Sequence, residues 1–484
     1  MSDDGAPALL AALEESGFTE EGIVRASGAA GIAAVVGGDP TELFSHLTGA
    51  DALSVLCRLF LLRLPCDLQA LRGALPGVTP DELVSEGLLE LRGSQARARV
   101  RLLPYAGLII ASSPDGAPGD AVPPDYVMGV GMSTVMLANL TVRRRVHRAL
   151  DLGCGSGALA LLAARHCDRA VALDRNPSAT RMAALNIRLN GAGNCLPVQG
   201  DFLGPLPDGV FDLISINPPY VISPDSTHSY RDSGRRGDSL CRDLVRTAPR
   251  HLASGGYCQI LCHWAHVAGE PWQERVASWC AGTGCDAWAM QVEAYDPVEY
   301  VADWCEAQDE DARAVAARRW LRSLEEQRIV AVGSGIITLR RSESARTWMR
   351  ATVGPETFGA PCGDHVARIF EAQDFLAEHR DDSRLLEARL RVVPEARLDR
   401  FHAPGDGAWR EIGARLRLTT GMSSPARVDE AIANFVGCCD GVRSVGGILG
   451  AMAAAGDSKS IAAALPAVRM LVEGGFVEAA DRAE

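Results

Sequence analysis

Between Asp125 and Arg341 short apolar runs take turns with amphipathic stretches, the alternation of a doubly wound, Rossmann-like α/β sheet. Ala149–Leu152 reads as a buried strand, Ala158–Arg165 as a helix, Arg169–Asp174 as the next strand and Pro177–Asn190 as the next helix. In that helix Met182, Leu185 and Leu189 recur at helical spacing. Cys195–Gly200, Phe211–Ile216 and Gly256–His263 supply further strands, with a helix over Ser239–His251. Strands over Asp286–Val292 and Ile329–Arg340, either side of a charged helix around Glu306–Gln327, close the sheet. A sheet of this kind holds its ligand beyond the C-terminal ends of its strands.

The flanks follow another pattern. Residues 1–45 read as a few short, glycine-punctuated helices. Leu53–Leu64 is an apolar helix stopped by Pro65, and Asp67–Ala74 a second one closed by Pro76-Gly77. Thr79-Pro-Asp-Glu82 starts a third: a capping hydroxyl, a proline for the first turn, then acids at the positive end of the dipole. Leu88–Leu91, the turn Gly93-Ser94 and Ala96–Leu103 follow as a hairpin. Three helices and a hairpin make a winged-helix-like module, and alternation sets Arg97, Arg99 and Arg101 on one face of the last strand. That face is either a substrate-binding wing or a solvated exterior. The Pro/Gly/Ser/Asp stretch from Ser112 to Pro124 reads as a linker. Beyond Arg341, Asp381–Arg400 predicts a helix–strand pair, and Arg427–Gly437, Val445–Ala454 and Ser460–Gly474 three more helices before Phe476-Val477. Three domains are expected: residues 1–115, 125–341 and 342–484, the last helical and again winged-helix-like in pattern.

Composition narrows the classes. At 47% apolar and 23% charged, the 484 residues are ordinary globular material, too many for one core. No apolar run is long enough to span a bilayer, and Met1-Ser-Asp-Asp-Gly5 is not a secretory leader, so a cytoplasmic protein without a membrane partner is the expectation. Fourteen scattered cysteines without a Cys-x-x-Cys pair fit reduced, buried thiols. A formal charge of −13 repels polyanions overall, though a local basic patch can still bind nucleic acid.

The chemistry concentrates in two stretches. Asp151-Leu-Gly-Cys-Gly-Ser-Gly157 leaves a buried strand and opens a helix. Its glycines let the backbone approach a ligand closely, and the helix N-terminus favours an anionic group. The next strand ends at Asp174, followed by Arg175, where a carboxylate can accept both hydroxyls of a ribose. An NAD site makes the same demands. Against NAD stand the G-x-G-x-G spacing with an acid ahead of it, and Gly200-Asp201-Phe202 at the third strand end. There Asp201 can accept from an adenine amino group and Phe202 can lie on the ring. The second stretch is Asn217-Pro-Pro-Tyr220. Pro218 and Pro219 fix φ and leave carbonyls free. The Asn217 carbonyl and a proline carbonyl can both accept from one –NH₂ group while the Tyr220 ring stacks on the planar group that bears it. That orients a delocalised, weakly nucleophilic nitrogen. Cys258, Cys262, His263 and His266 could be imagined as a zinc set, but strand alternation sends His263 to the face opposite the cysteines. No metal site is expected.

These stretches resemble the class I S-adenosylmethionine-dependent methyltransferases over residues 125–341. The resemblance implies that Asp151 and Gly153–Gly157, with Cys154 and Gly155 between them, flank the methionine part of S-adenosyl-L-methionine. It gives Asp174 the ribose, Asp201 and Phe202 the adenine, and Thr134 of Gly129-Val-Gly-Met-Ser-Thr134 a place over the cofactor. Asn217-Pro-Pro-Tyr220 resembles the signature of enzymes that methylate planar amino groups. With Val221-Ile-Ser-Pro224, Gly234 and Gly237-Asp238, it is most similar to the HemK/PrmC-type protein glutamine N5-methyltransferases. The implied partner is a protein or peptide, with an adenine-N6 or guanine-N2 position in RNA or DNA as the alternative acceptor. A catalytically silent nucleotide-binding regulator is the reading from another class.

Overall fold

The computed structural model describes residues 5–37, 45–114, 123, 125–201, 204, 206–225, 230–305, 310–344, 346–355, 361–405, 407–422, 425–455 and 461–480. The chain divides into two compact units, residues 1–138 with 145–353 and residues 139–144 with 354–484.

The first unit opens with helices Gly5–Glu15, Glu20–Ser27 and Ile32–Gly37, then Ala52–Phe60. Strand β1 (Cys66–Asp67) leads to helices Leu68–Ala74 and Pro80–Ser85, and strands β2 (Leu89–Arg92) and β3 (Gln95–Ala98) complete a small sheet in the order β1-β3-β2. Thr79 caps its helix in a reciprocal capping box with Glu82. The expected strand Ala96–Leu103 is not continuous. It breaks after Ala98 and resumes as β4 (Arg101–Tyr105), which pairs only with β5 (Leu108–Ser112). Arg97 and Arg101 therefore belong to different sheets, and the three arginines share no strand face.

The central sheet has eight strands in the order β13-β11-β12-β10-β9-β6-β7-β8. They are β6 (Val146–Leu152), β7 (Cys167–Asp174), β8 (Cys195–Gln199), β9 (Phe211–Ile216), β10 (Leu252–Val267), β11 (Cys285–Tyr295), β12 (Ile329–Arg341) and β13 (Met349–Val353). β6 to β10 run parallel, β12 is antiparallel to both neighbours, and β13 is parallel to β11. This is the doubly wound sheet that the alternation implies. The helix expected over Ser239–His251 stops at Thr247 and tightens into a 3₁₀ turn over Ala248–His251, where Pro249 cannot donate to a continuing α-helix. Two helices precede β12: Pro297–Trp304, which the sequence reading passed over, and Glu310–Glu326. One core fills the space between the central strands and the helices Ser239–Thr247 and Trp272–Cys280. A smaller one gathers Val221, Ile222, Tyr300, Val301 and Trp320 beneath the end of β10.

Two asparagines clamp the β4–β5 hairpin to helix Pro177–Leu189. Asn190 exchanges two bonds with the Ile109 backbone, at 2.9 and 2.8 Å. The fully buried Asn186 accepts from Ala111 N–H at 2.7 Å, and its amide donates to Ala111 O and Ser156 O, both at 2.8 Å. Asn186 thus ties the hairpin to the glycine loop.

The second unit has its own core, around Phe375, Leu385, Leu390, Leu416, Leu449 and Leu471. Its strands are β14 (Arg389–Val392), β15 (Ala396–Pro404), β16 (Trp409–Leu418), β17 (Ala426–Val428), β18 (Asp440–Ser444) and β19 (Val477–Ala479). They form two sheets, β18-β14-β19 and β15-β16-β17, with helices Gly363–Glu378, Asp382–Glu387, Glu430–Cys438, Val445–Ala454 and Ile461–Glu473. Asp382–Glu387 and β14 are the helix–strand pair read in the sequence; the β15-β16-β17 sheet was not anticipated. No helix among the described residues is long and apolar enough to cross a membrane.

Candidate active site

Register delivers the site. Leu152 of β6 lies opposite Leu173 of β7 and Ile216 of β9. Gly153 and Asn217 are therefore the first residues past one edge of the sheet, next to Asp174, the last residue of β7. Strand order reverses at β6, with β7 and β8 to one side and β9 and β10 to the other. Open α/β sheets bind their ligands in the crevice at such a switch point.

A cleft opens there. Of the residues singled out in the sequence, Thr134, Asp151, Gly153, Cys154, Gly155, Asp174, Arg175, Asn217 and Pro219 line it. Gly157, Pro218, Tyr220 and Asp201 are not among its lining residues, and Phe202 lies outside the described residues. Gly157 has a packing role instead. Its φ is +80°, and a Cβ added there would stand 3.1 Å from the Ala183 Cβ, so glycine lets the loop close onto the next helix. Gly153 and Gly155 also have positive φ, at 73° and 52°.

The two carboxylates are held differently. Asp174 braces the loop: Oδ2 accepts from Gly155 N–H at 2.9 Å and Oδ1 from Asn176 N–H at 2.8 Å. Each oxygen keeps a further lone pair for a ligand. Asp151 is buried; Oδ2 accepts from Ala160 N–H at 3.0 Å, and Oδ1 has no partner among the described residues. Burial pushes the Asp151 carboxyl up to about 7. A buried acceptor left open beside a cleft is the place for a donor or a cation.

Asn217 is oriented from across the cleft. Its Nδ2 donates to Ser133 Oγ at 3.1 Å. With Nδ2 so engaged, Oδ1 is the end of the amide left for an incoming group. Tyr220 abuts His263, ring centroids 4.4 Å apart, and meets Trp304 edge-on at 6.3 Å. Burial raises the Tyr220 hydroxyl and pushes the His263 imidazole down to about 3, so both are neutral. Tyr300 Oη accepts from Ile222 N–H at 2.8 Å and lies 2.9 Å from His263 Nδ1. Cys258 and Cys262 lie in the central core, away from His263, and no group of metal-ligating side chains occurs among the described residues.

Tyr126 and the role of Ser133 escaped the sequence reading. Tyr126 and Tyr230 line the cleft with ring centroids 5.2 Å apart. Ser133 stands beside Thr134 in a run already noted, but its partner is 84 positions away. The segment Tyr230–Asp238 is pinned at both ends. Val221 bridges Asp232, the buried Arg231 and Asp232 pair at 3.1 Å, and Asp238 accepts from Ala265 N–H at 2.9 Å and Arg275 Nε at 3.0 Å. Gly234, Arg235 and Arg236 between them are exposed.

Fold and cleft define a class, a Rossmann-like domain of the methyltransferase type. Residues 130–268 match the family model described as "Methyltransferase small domain". Residues 15–99 and 367–479 match two described as domains of unknown function, DUF7059 and DUF7782. Among curated relatives, the "Ribosomal protein uL3 glutamine methyltransferase" of Bradyrhizobium diazoefficiens is 37% identical over 130 residues, 24% of this chain and 41% of that protein. The "Release factor glutamine methyltransferase" of Geobacter sulfurreducens is 32% identical over 142 residues, covering 26% and 50%. The "tRNA1(Val) (adenine(37)-N6)-methyltransferase" of Actinobacillus pleuropneumoniae is 34% identical over 134 residues, covering 27% and 57%. The chain thus spans about half the length of the curated relatives it matches.

Proposed function

We propose that this chain is an S-adenosylmethionine-dependent N-methyltransferase whose acceptor is a planar amide or amino nitrogen, with a protein glutamine side chain favoured. The observation that carries the reading is Asn217: it follows the sheet edge and lines the cleft beside the glycine loop, with its amide nitrogen engaged by Ser133. The cofactor brings an activated methyl group on a sulfonium centre. The residues present suit it. Asp151 offers a buried oxygen, unpartnered among the described residues, to a cationic methionine part, Gly153 and Gly155 give backbone access, and the lone pairs left on Asp174 suit ribose hydroxyls.

Asn217 Oδ1 and the Pro218 carbonyl accept the two amino hydrogens of the acceptor, so that its nitrogen lone pair faces the cleft. Tyr126 and Tyr230 shield the cleft from water. No side chain has to remove a proton first; the surplus proton leaves to solvent after transfer. Glutamine is favoured by the names of the two glutamine methyltransferase relatives. A base in RNA is the second reading, supported by the adenine methyltransferase relative. The order of helix, β1, two helices and the β2–β3 hairpin supports a winged-helix-like grip on the substrate, and residues 430–479 support a second such module.

Methyl transfer from labelled cofactor to cell fractions tests the reading. Asn217→Ala should abolish transfer and leave cofactor affinity within a few fold, while Asp174→Ala weakens cofactor binding first. Equal loss of both functions in Asn217→Ala would overturn the assignment. Mass spectrometry of proteins and RNA from a deletion strain identifies which class of molecule loses a methyl group.

A further inference from the structure

The β15-β16-β17 sheet of the second unit carries a charge pattern opposite to that of the chain. Residues 396–428 hold six arginines against three acids, in a protein of net charge −13. Directly paired residues of antiparallel strands point to the same face. Ala414, Leu416, Leu418 and Val428 enter the core, so their neighbours Arg415, Arg417 and Arg427 face away from it. The partners Arg397 (opposite Arg417), Asp399 (opposite Arg415) and Phe401 (opposite Gly413) share that outer face. After Phe401 the register shifts by one residue, so the β16 side chains change sides. Glu411 goes to the other face, where it pairs with Arg400 at 2.8 Å, and Arg410, opposite Ala403, joins the outer one. The outer face of this sheet thus holds Arg397, Arg410, Arg415, Arg417 and Arg427 with a single carboxylate, Asp399.

Such a face is unfavourable by itself. Arg397 lies directly opposite Arg417 and Arg415 opposite Arg427, and like charges in directly opposed positions destabilise a sheet. Asp399 accepts from Arg415 and Arg417, at 3.0 and 2.9 Å; Arg397, Arg410 and Arg427 have no carboxylate partner among the described residues. Phe401 is 41% exposed with the Arg415 guanidinium 5.2 Å from its ring centroid, and Gly413 opposite leaves the ring uncovered. An array of cations around an open aromatic ring on a sheet matches a chain of phosphates with unpaired bases, where arginines take the backbone and the ring takes a base.

We propose that the outer face of β15-β16-β17 is a docking surface for single-stranded nucleic acid. It goes beyond the methyl-transfer reading and does not depend on it. The test is fluorescence anisotropy of the full chain with a labelled single-stranded RNA across a salt series. The wild type should bind, with affinity falling steeply as salt rises. The triple variant Arg397→Gln/Arg410→Gln/Arg427→Gln, which disturbs no ion pair among the described residues, should bind at least tenfold more weakly, with a log–log salt slope shallower by about 2, at roughly 0.7 per phosphate contact. The single Arg→Gln variants give the same test at about a third of that slope change. Phe401→Ala should weaken binding and leave the slope unchanged. Absence of RNA binding by the wild type at low salt, or undiminished binding by the arginine variants, would overturn the proposal. Displacement of the RNA by an equal charge concentration of polyglutamate would also overturn it, in favour of an acidic protein partner.

Discussion

Asp151 sits where burial and function pull against each other. Its carboxyl is pushed up to about 7 from an ordinary value near 3.9. Between those two values the folded chain holds a proton that the unfolded chain has released. Stability therefore falls as pH rises from about 4 to about 7 and levels off above it. In Asp151→Asn this contribution disappears. Urea unfolding of both proteins without ligand, at about pH 5 and about pH 8, should show the wild type losing roughly a few kcal/mol relative to the variant. Parallel profiles would mean that Asp151 is ionised in place. Ser133 gives a second test at this scale. By accepting from the Asn217 amide nitrogen it sets which end of that amide stays without a partner, the end that the proposed reaction uses. Ser133→Ala should lower kcat by about ten- to a hundredfold with cofactor affinity unchanged, in keeping with the rate lost to small misplacements. Ser133→Thr, which keeps the hydroxyl, should recover most of it. A loss of cofactor affinity in Ser133→Ala would assign Ser133 to the cofactor pocket.

Among elements, the clamp of Asn186 has the largest consequence. One buried amide serves Ala111 N–H, Ala111 O and Ser156 O, so it stands in for a backbone group between the β4–β5 hairpin and the glycine loop. Asn186→Leu keeps the branched outline of the side chain, with somewhat larger bulk, and leaves three backbone groups unpaired. At about 1–3 kcal/mol for each buried group left without a partner, the variant should lose at least about 3 kcal/mol in urea unfolding and bind cofactor more weakly. A change under about 1 kcal/mol would show that water replaces the amide. This contact also shows what the sequence could and could not reveal. β6, β7, β9 and β10 were legible as short apolar runs ending in glycine, acid or proline, and their order placed Asp151, Asp174 and Asn217 at one sheet edge. Asn186 and Ser133 were not legible, because their partners lie 75 and 84 positions away and an amide or hydroxyl in a helix leaves no local periodic signal. The helix Met132–Leu140 is apolar on all sides and offers no amphipathic stripe. β16 does alternate, as Ala414-Arg-Leu-Arg-Leu418, but only the register to β15 and β17 gathers its arginines with theirs on one face.

For the whole molecule, the division into two units makes a thermodynamic claim. The described core around Ile214, Ile260 and Ile337 belongs to the first unit, and the one around Phe375, Leu390 and Leu416 to the second. Every residue lining the cleft beside Asp151 and Asn217 is in the first. A ligand stabilises only what it binds, by RT ln(1 + [L]/Kd), or about 2.7 kcal/mol at a hundredfold excess over Kd. Calorimetry of the full chain should therefore resolve two transitions, of which S-adenosylmethionine raises one and leaves the other in place. Single-stranded RNA bound to the β15-β16-β17 face should raise the other. The two ligands thus report on the two proposals separately. A single transition raised by either ligand would instead require that the units unfold together. In that case the pair of proposals would be separated by variants: Asp174→Ala should suppress only the shift from the cofactor, and Arg397→Gln/Arg410→Gln/Arg427→Gln only the shift from RNA.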